Sequence, residues 1–397
     1  MRPGTVFQPA GPWRASLAIR DAPRRPLWVA VAGCGAVGSA LIQLLQEQNA
    51  SASGTPPFEL VRVLVRNPAR IRPVALDRAL VTKSVDEFLD TQADVVIEAI
   101  NSAKPARRIA LASLSAKRRY ITANRALIAQ SGQDLLELAA HHGAALEFGA
   151  ALGGSLPVVR LLRDRTFGPG IGAIRATLDG FAGPRSSRST DDLAERLAIL
   201  ALAGFGTDPR HLAVRRRVPA DIGDLGTAAS SLGGVVRVLA ELIHTPKGLL
   251  AAVEPVIVSP RSPLVAAHGE SVVAVQSRSA GTILLRGQEQ SPSATASLLL
   301  ADLLRDPGRP LLPTTAPPRS APEDLRLHWW LLRAVDAAHD VVASFCQSHR
   351  LERESVTAAT GSSPRLLSVR ATSRGLNELL TLLGGRGFPA HWIRWER

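Results

Sequence analysis

Gly33-Cys34-Gly35-Ala36-Val37-Gly38 is a G-x-G-x-x-G turn, and its flanks decide what chemistry it can do. It follows the apolar run Trp28-Val29-Ala30-Val31-Ala32 and opens a stretch of helical periodicity that begins Ser39-Ala40-Leu41-Ile42. In that strand-to-helix setting Gly33 permits the tight turn, Gly35 lets a pyrophosphate approach the backbone, and Gly38 lets helix and strand pack closely. The N–H groups of Ala36, Val37 and Gly38 would receive the phosphates at the positive end of the helix dipole. This is the chemistry of NAD or NADP binding. The second strand ends in Val65-Arg66-Asn67, not in an acid suited to a ribose 2′-hydroxyl. Arg66 would suit a 2′-phosphate, but arginine is common enough here for a plain surface role, so both coenzymes stay open.

The elements that must hold this turn alternate along the chain. FELVRVLVR, ADVVIEAI and YITAN read as strands, with PARRIALASL as a helix between them, which predicts an α/β Rossmann domain with a parallel sheet over 27–152. Glu98 stands at the end of ADVVIEAI, Asn101 and Ser102 follow that segment, and Asn124 closes YITAN. Asn101, Ser102 and Asn124 are candidate coenzyme contacts, and helix capping is an equal reading for Asn101 or Ser102. His141 and His142 before Gly143 read as a helix C-terminus. Beyond Pro157, ATLDGF, AVEPVIVS, GESVVAVQS and GTILLRG are strands, with helical segments expected around 191–205 and 227–243. They make an α+β domain over 153–306 whose last helix would return to the Rossmann domain. Residues 307–324 form a linker, with six prolines between 307 and 323. Residues 325–397 follow a βαββαβ order, a ferredoxin-like domain in which Trp329, Trp330 and Trp392 suit a core or a subunit face.

Composition narrows the class. Hydrophobic residues at 46% and charged residues at 20% are ordinary for a globular chain of 397 residues, and no apolar run reaches membrane-helix length. The net charge of +13 comes with only four lysines among 47 basic residues, scattered and with 4% aromatics, so it reads as an arginine bias and not as a nucleic-acid surface. Cys34 and Cys346 match no metal spacing, which indicates no metal site and fits a reducing cytoplasm. Residues 1–26 are basic but lack a secretory apolar core, and are expected to form a disordered tail.

Five stretches, in order, resemble the homoserine dehydrogenase family. They are VAVAGCGAVGSAL, YITANRALIA at 120–129 against VVTANKALLA, ALGGSLPVVRLL at 151–162 against VGGGIPII, ERLAILALAGFG at 195–206 against KLAILA, and ATASLLLADLLR at 294–305 against TASAVVSDL. The resemblance implies a Rossmann domain, a catalytic and dimerisation domain, a C-terminal ACT domain, a homodimer or larger homo-oligomer, and NAD(P)-dependent hydride transfer on a small molecule. It also implies that the catalytic positions are altered. Arg125 and Arg196 stand where the family has lysines, with Asp192 four residues before the second, and Gly149 stands where it has a glutamate. The stretch between Gly180 and Arg196 is far shorter than the family's and lacks its acidic GY-x-EADP segment. Gly287-Gln288-Glu289-Gln290-Ser291 replaces a glycine-rich turn. Two readings follow: an oxidoreductase using Arg125, Asp192 and Arg196 on a substrate other than homoserine, or a non-catalytic nucleotide-binding partner of an active enzyme.

Overall fold

The computed structural model describes residues 25–168, 170–178, 187–216, 229–230, 233–267, 269–288, 291–305, 328–334, 338–356, 366–386, 388 and 390–395. Strands and helices alternate through the first part: β1 (Leu27–Ala32), α1 (Ala36–Ser51), β2 (Phe58–Leu64), β3 (Val81–Thr82), α2 (Val85–Asp90), β4 (Val95–Glu98), α3 (Ala103–Ser115), β5 (Arg119–Thr122), α4 (Arg125–His142) and β6 (Leu146–Glu147). The strands form one sheet in the order β3-β2-β1-β4-β5-β6, parallel throughout. Val29, Val31, Val96 and Ile97 are fully buried, as strands covered by helices on both faces require. The order reverses between β1 and β4, which opens a crevice at the carboxyl ends of the strands, where doubly wound sheets bind ligands. His141 and His142 close α4, and Gly143 ends it in the left-handed conformation at φ 66°.

The second part contains a 3₁₀ turn (Gly149–Leu152), α5 (Val158–Arg163), β7 (Ile171–Leu178), α6 (Ser187–Phe205), β8 (Val214–Arg216), β9 (Val235–Thr245), β10 (Gly248–Val258), β11 (Glu270–Ser277), β12 (Gly281–Gln288) and α7 (Pro292–Leu304). One expectation fails here. The expected helix around 227–243 does not run its length: residues 229 and 230 are helical, but Val235–Thr245 is a strand, because it pairs with β10 along its whole length and with β7 on its other edge. Two sheet partners outweigh the helix propensity of its Leu-Ala-Glu-Leu run. Helix α7 returns to the Rossmann sheet, where Ala296, Leu299, Leu300 and Leu303 join Leu41, Ile42 and Leu45 of α1 in one apolar core.

The last part runs β13 (His328–Ala334), α8 (His339–Ser348), β14 (Glu352–Val356), β15 (Leu366–Ala371), α9 (Ser373–Gly385) and β16 (Ala390–Trp395). Its strands lie antiparallel in the order β16-β13-β15-β14, a ferredoxin-like arrangement. Trp330 is fully buried, donates Nε1–H to the Ala371 carbonyl at 3.0 Å and meets the Trp392 ring edge-on. This sheet is not separate: β16 pairs in parallel with β10 through Val256–Arg394 and Ile257–Trp395. The linker and residues 1–24 of the tail lie outside the described residues. Arg25, counted in that tail, forms two hydrogen bonds to Asp94 and covers the Trp28 ring. Among the described residues no helix is long and apolar enough to cross a membrane, and no group of three or more metal-ligating side chains converges.

Candidate functional site

The glycine turn has the shape its sequence predicts. Gly33 has φ 100°, and a Cβ there would lie 2.6 Å from the Ala99 carbonyl oxygen. A Cβ on Gly38 would lie 2.0 Å from the Gly33 carbonyl oxygen, so helix and turn touch. Gly35, between them, has nothing within 4 Å of its Cβ position, so its side of the turn is open. Gly35 is the N-cap of α1 and no side chain caps that helix, which leaves the first-turn N–H groups of Ala36, Val37 and Gly38 without a side-chain acceptor. Open space beside an uncapped helix N-terminus fits a dinucleotide pyrophosphate. The Gly33 N–H donates to Leu64 O at 2.9 Å, which ties the turn to the end of β2, and Arg66 follows two residues later, exposed.

On the other half of the sheet, β4 and β5 end side by side at Glu98 and Thr122. Glu98 is fully buried. It accepts from Thr122 Oγ1 at 2.7 Å, from Tyr120 Oη and Asn124 Nδ2 at 3.4 Å, and from the Ile100 backbone N–H. Burial pushes its carboxyl up to about 7, against the pull of these hydrogen bonds. Asn124 caps α4 through Oδ1, which accepts from Leu127 N at 3.0 Å, and gives Nδ2–H to Ile100 O at 2.8 Å and Ser102 O at 3.4 Å. Its side chain is thus spent on joining two loops. Ser102 sits at the N-cap of α3 but makes no side-chain cap, and Asn101 beside it is exposed.

The three residues proposed for catalysis do come together. Arg125 is the first residue of α4, and Asp192 and Arg196 lie one turn apart on α6. Arg125 Nη1 pairs with Asp192 Oδ1, and Arg196 Nε pairs with Asp192 Oδ2 at 2.9 Å. Arg125 also reaches the Ala151 and Leu152 carbonyls at 3.4 Å. Both guanidiniums face Gly153, where φ is 85° and a Cβ would lie 3.1 Å from Arg125 Nη2 and 3.9 Å from Arg196 Nη2. Among the described residues, two cations share this one carboxylate, so the trio carries a net positive charge. Such a site can polarise a carbonyl or hold an anion, but arginine cannot pass a proton.

Sequence reading missed a fourth group. Gly149 lacks the expected glutamate, yet a Cβ there would lie 2.8 Å from Oδ2 of Asp302, which comes across from α7. Burial first, then the nearby Glu147 charge, pushes the Asp302 carboxyl up to about 6, while Arg163, Arg160 and Arg119 oppose the shift. The aspartate of ATASLLLADLLR was visible in the sequence, but its approach to Gly149 was not. Near the same loop, Ser155 N donates to Gln288 O at 2.9 Å, which seats the start of the 287–291 turn against residues 153–157; residues 289 and 290 lie outside the described residues.

Two family profiles match the chain. The homoserine dehydrogenase NAD-binding domain covers residues 33–149 and homoserine dehydrogenase covers 175–304, together more than half of the chain. Homoserine dehydrogenase of Mycobacterium tuberculosis is 28% identical over 323 residues, covering 70% of this chain and 72% of that protein. The crystal structure of a homoserine dehydrogenase from Thiobacillus denitrificans superposes with a TM-score of 0.76 over 94% of this chain and 98% of that one, at 20% identity. A hyperthermophilic archaeal homoserine dehydrogenase in complex with NADPH superposes with a TM-score of 0.57 over 70% of this chain and 97% of that one, at 17% identity.

Proposed function

From a chain that belongs to the homoserine dehydrogenase family, we propose an NAD(P)-dependent oxidoreductase that acts on a small amino-acid-derived hydroxy or carbonyl compound, with Arg125, Asp192 and Arg196 at the reacting oxygen. The sharing of one Asp192 carboxylate by Arg125 and Arg196 carries this assignment of roles. When bound, the nicotinamide accepts or donates the hydride at the substrate carbon. Gly33, Gly35 and Gly38, with the N–H groups of Ala36 and Val37, hold the pyrophosphate, and Arg66 faces the adenosine end. Asn101 and Ser102 line the nicotinamide end, and Asn124 joins the loops there. Arg125 and Arg196 stabilise negative charge on the substrate oxygen as the C–H bond breaks or forms, and Asp192 fixes both forks. Both oxygens of Asp192 are engaged by the arginines, so the alcohol proton passes to solvent water. A non-catalytic regulatory role is not favoured, because the profiles span the coenzyme-binding and the catalytic regions.

Several finer assignments belong to the same reading. The enzyme works in the cytoplasm as a homodimer or larger homo-oligomer. Its last domain is ACT-like, pairs subunits through a sheet edge, and no longer takes an amino-acid effector. The turn Asp336-Ala337-Ala338-His339 lacks the glycine that would admit one. Residues 336 and 337 lie outside the described residues, and Ala338 is fully buried.

The test is enhancement or quenching of reduced-nicotinamide fluorescence by the protein, followed by its consumption with a panel of amino-acid aldehydes. Binding with turnover of one aldehyde, and slow turnover of homoserine, is expected. Absence of coenzyme binding sinks the proposal, and ordinary family-level turnover of homoserine sinks the claim of an altered substrate.

A further inference from the structure

Glu98 has no part in the proposed hydride or proton transfer, yet it is fully buried and accepts four hydrogen bonds beside the site. Its Oε1 takes the Ile100 N–H and Asn124 Nδ2, and its Oε2 takes the Thr122 and Tyr120 hydroxyls. Asn124 Nδ2 reaches on to the Ile100 and Ser102 carbonyls, and the Asn124 N–H donates to Thr122 Oγ1 at 2.9 Å. One carboxylate thereby joins the loop after β4, residues 99–102, to the loop after β5, residues 123–124. The crevice at the carboxyl ends of a doubly wound sheet takes the two halves of a dinucleotide on either side of the switch point. The glycine turn and Arg66 occupy the β1–β2 side, so these two loops flank the nicotinamide half.

We propose that Glu98 is a positioning residue for the nicotinamide: its buried carboxylate clamps loops 99–102 and 123–124 together, and loss of its charge loosens the clamp. The inference rests on the coenzyme reading above. Charge-assisted hydrogen bonds are about twice as strong as neutral ones, so the clamp is firmest when Glu98 is ionised. Two of its donors, the Ile100 N–H and the Asn124 amide, cannot become acceptors, so an added proton goes to Oε2, on the hydroxyl side. Among the described residues Tyr120 is the one titratable group in contact with it. β1 presents Ala32 alongside, and α4 presents the Asn124 amide. The carboxyl's elevation to about 7 puts the change of state within the ordinary assay range.

Glu98→Gln mimics the protonated acid, since its carbonyl oxygen can still accept from Ile100 while its amide faces the hydroxyls. The measurement is NADPH affinity by fluorescence from pH 5.5 to 8.5, divided at each pH by the affinity for 2′-phospho-ADP-ribose, which lacks the nicotinamide. For the parent this ratio should fall several-fold as the pH drops through 7. In Glu98→Gln it should be flat and equal to the parent's low-pH value. Glu98→Ala should be flat and lower again. A Glu98→Gln ratio that keeps the parent's inflection, or matches the parent at pH 8, overturns the clamp while leaving coenzyme binding standing. Failure of the parent to bind NADPH or NADH at any pH overturns both readings; if only NADH binds, the ratio is taken against ADP-ribose instead. Glu98→Gln keeps the test decisive if the alanine variant does not fold.

Discussion

Gly35 and Gly38 separate coenzyme binding from folding, though they stand three positions apart. Gly35 has φ −86° and open space at its Cβ position, so Gly35→Val should leave the thermal melt nearly unchanged while abolishing nicotinamide fluorescence enhancement. Gly38→Ala meets the Gly33 carbonyl oxygen and should lower the melting temperature even without coenzyme. A Gly35→Val variant that binds as tightly as the parent would place the pyrophosphate elsewhere. At the arginines, lysine keeps the charge but loses the planar fork that grips Asp192. Losing general acid–base help costs about 10²–10⁴-fold in general. Restoring lysine at both positions should still recover little homoserine turnover if the acidic segment that the resemblance implies for substrate binding is needed, because the shorter 180–196 stretch lacks it and a misplaced substrate wastes a correct group. Grafting an acidic segment into the double-lysine variant should be what restores rate, as nicotinamide reduction with homoserine would show.

Helix α7 packs on the 149–153 loop through an apolar core that includes Ala150, and it carries Asp302, an acid that burial disfavours when charged, into that contact. Because the folded-state value of Asp302, about 6, exceeds its ordinary value, Asp302 contributes its stability at low pH and loses it as the pH rises through about 6. A shift of this size corresponds to about 2–3 kcal/mol as an upper bound. Asp302→Asn should therefore melt higher than the parent at pH 8, with the difference shrinking below pH 6 and the two converging only near pH 4. Parallel melting curves across that window would show that Asp302 does not titrate in the fold. Gly149→Ala points a methyl at the same carboxylate and should destabilise at every pH.

Across the whole molecule, a ladder of alternating charge joins the last domain to the central sheet. Arg175 on β7 meets Glu241 on β9 at 3.1 Å; Arg394 on β16 bridges Glu241 and Glu254 of β10; and Arg215 on β8 lies 3.8 Å from Glu254. Arg215 also donates to Ser373 Oγ at 2.9 Å, at the start of α9. Glu241, Glu254 and Arg394 are essentially without solvent contact. Removing one partner of such a buried group costs about 3–5 kcal/mol, because the remaining charges lose their compensation. Arg394→Met should show that loss in denaturant unfolding, and adding Glu241→Gln with Glu254→Gln should recover much of it. A single variant within about 1 kcal/mol of the parent would mean the joint is held by the β10–β16 pairing alone.

The glycine turn, the α/β alternation to Leu152 and the βαββαβ order of the last domain were legible in the sequence, because hydrophobic period and turn chemistry are local properties. The helix expected around 191–205 puts Asp192 one turn before Arg196, whereas the resemblance singles out Arg125 and the structure places it at the start of α4. Local signals could not say which partner covers a buried face. That Val235–Thr245 is a strand follows from β7 and β10 on its two edges. That the ferredoxin-like sheet continues the central one follows from a two-residue parallel contact between β10 and β16. The slot beside Gly149 is filled by Asp302 from a distant helix, and Glu98 finds its donors on β5 and on the loops after β4 and β5, which come together once those strands are paired. Tertiary packing decides these contacts because buried polar groups must be satisfied by whatever the fold brings near them, and sequence spacing does not record that proximity.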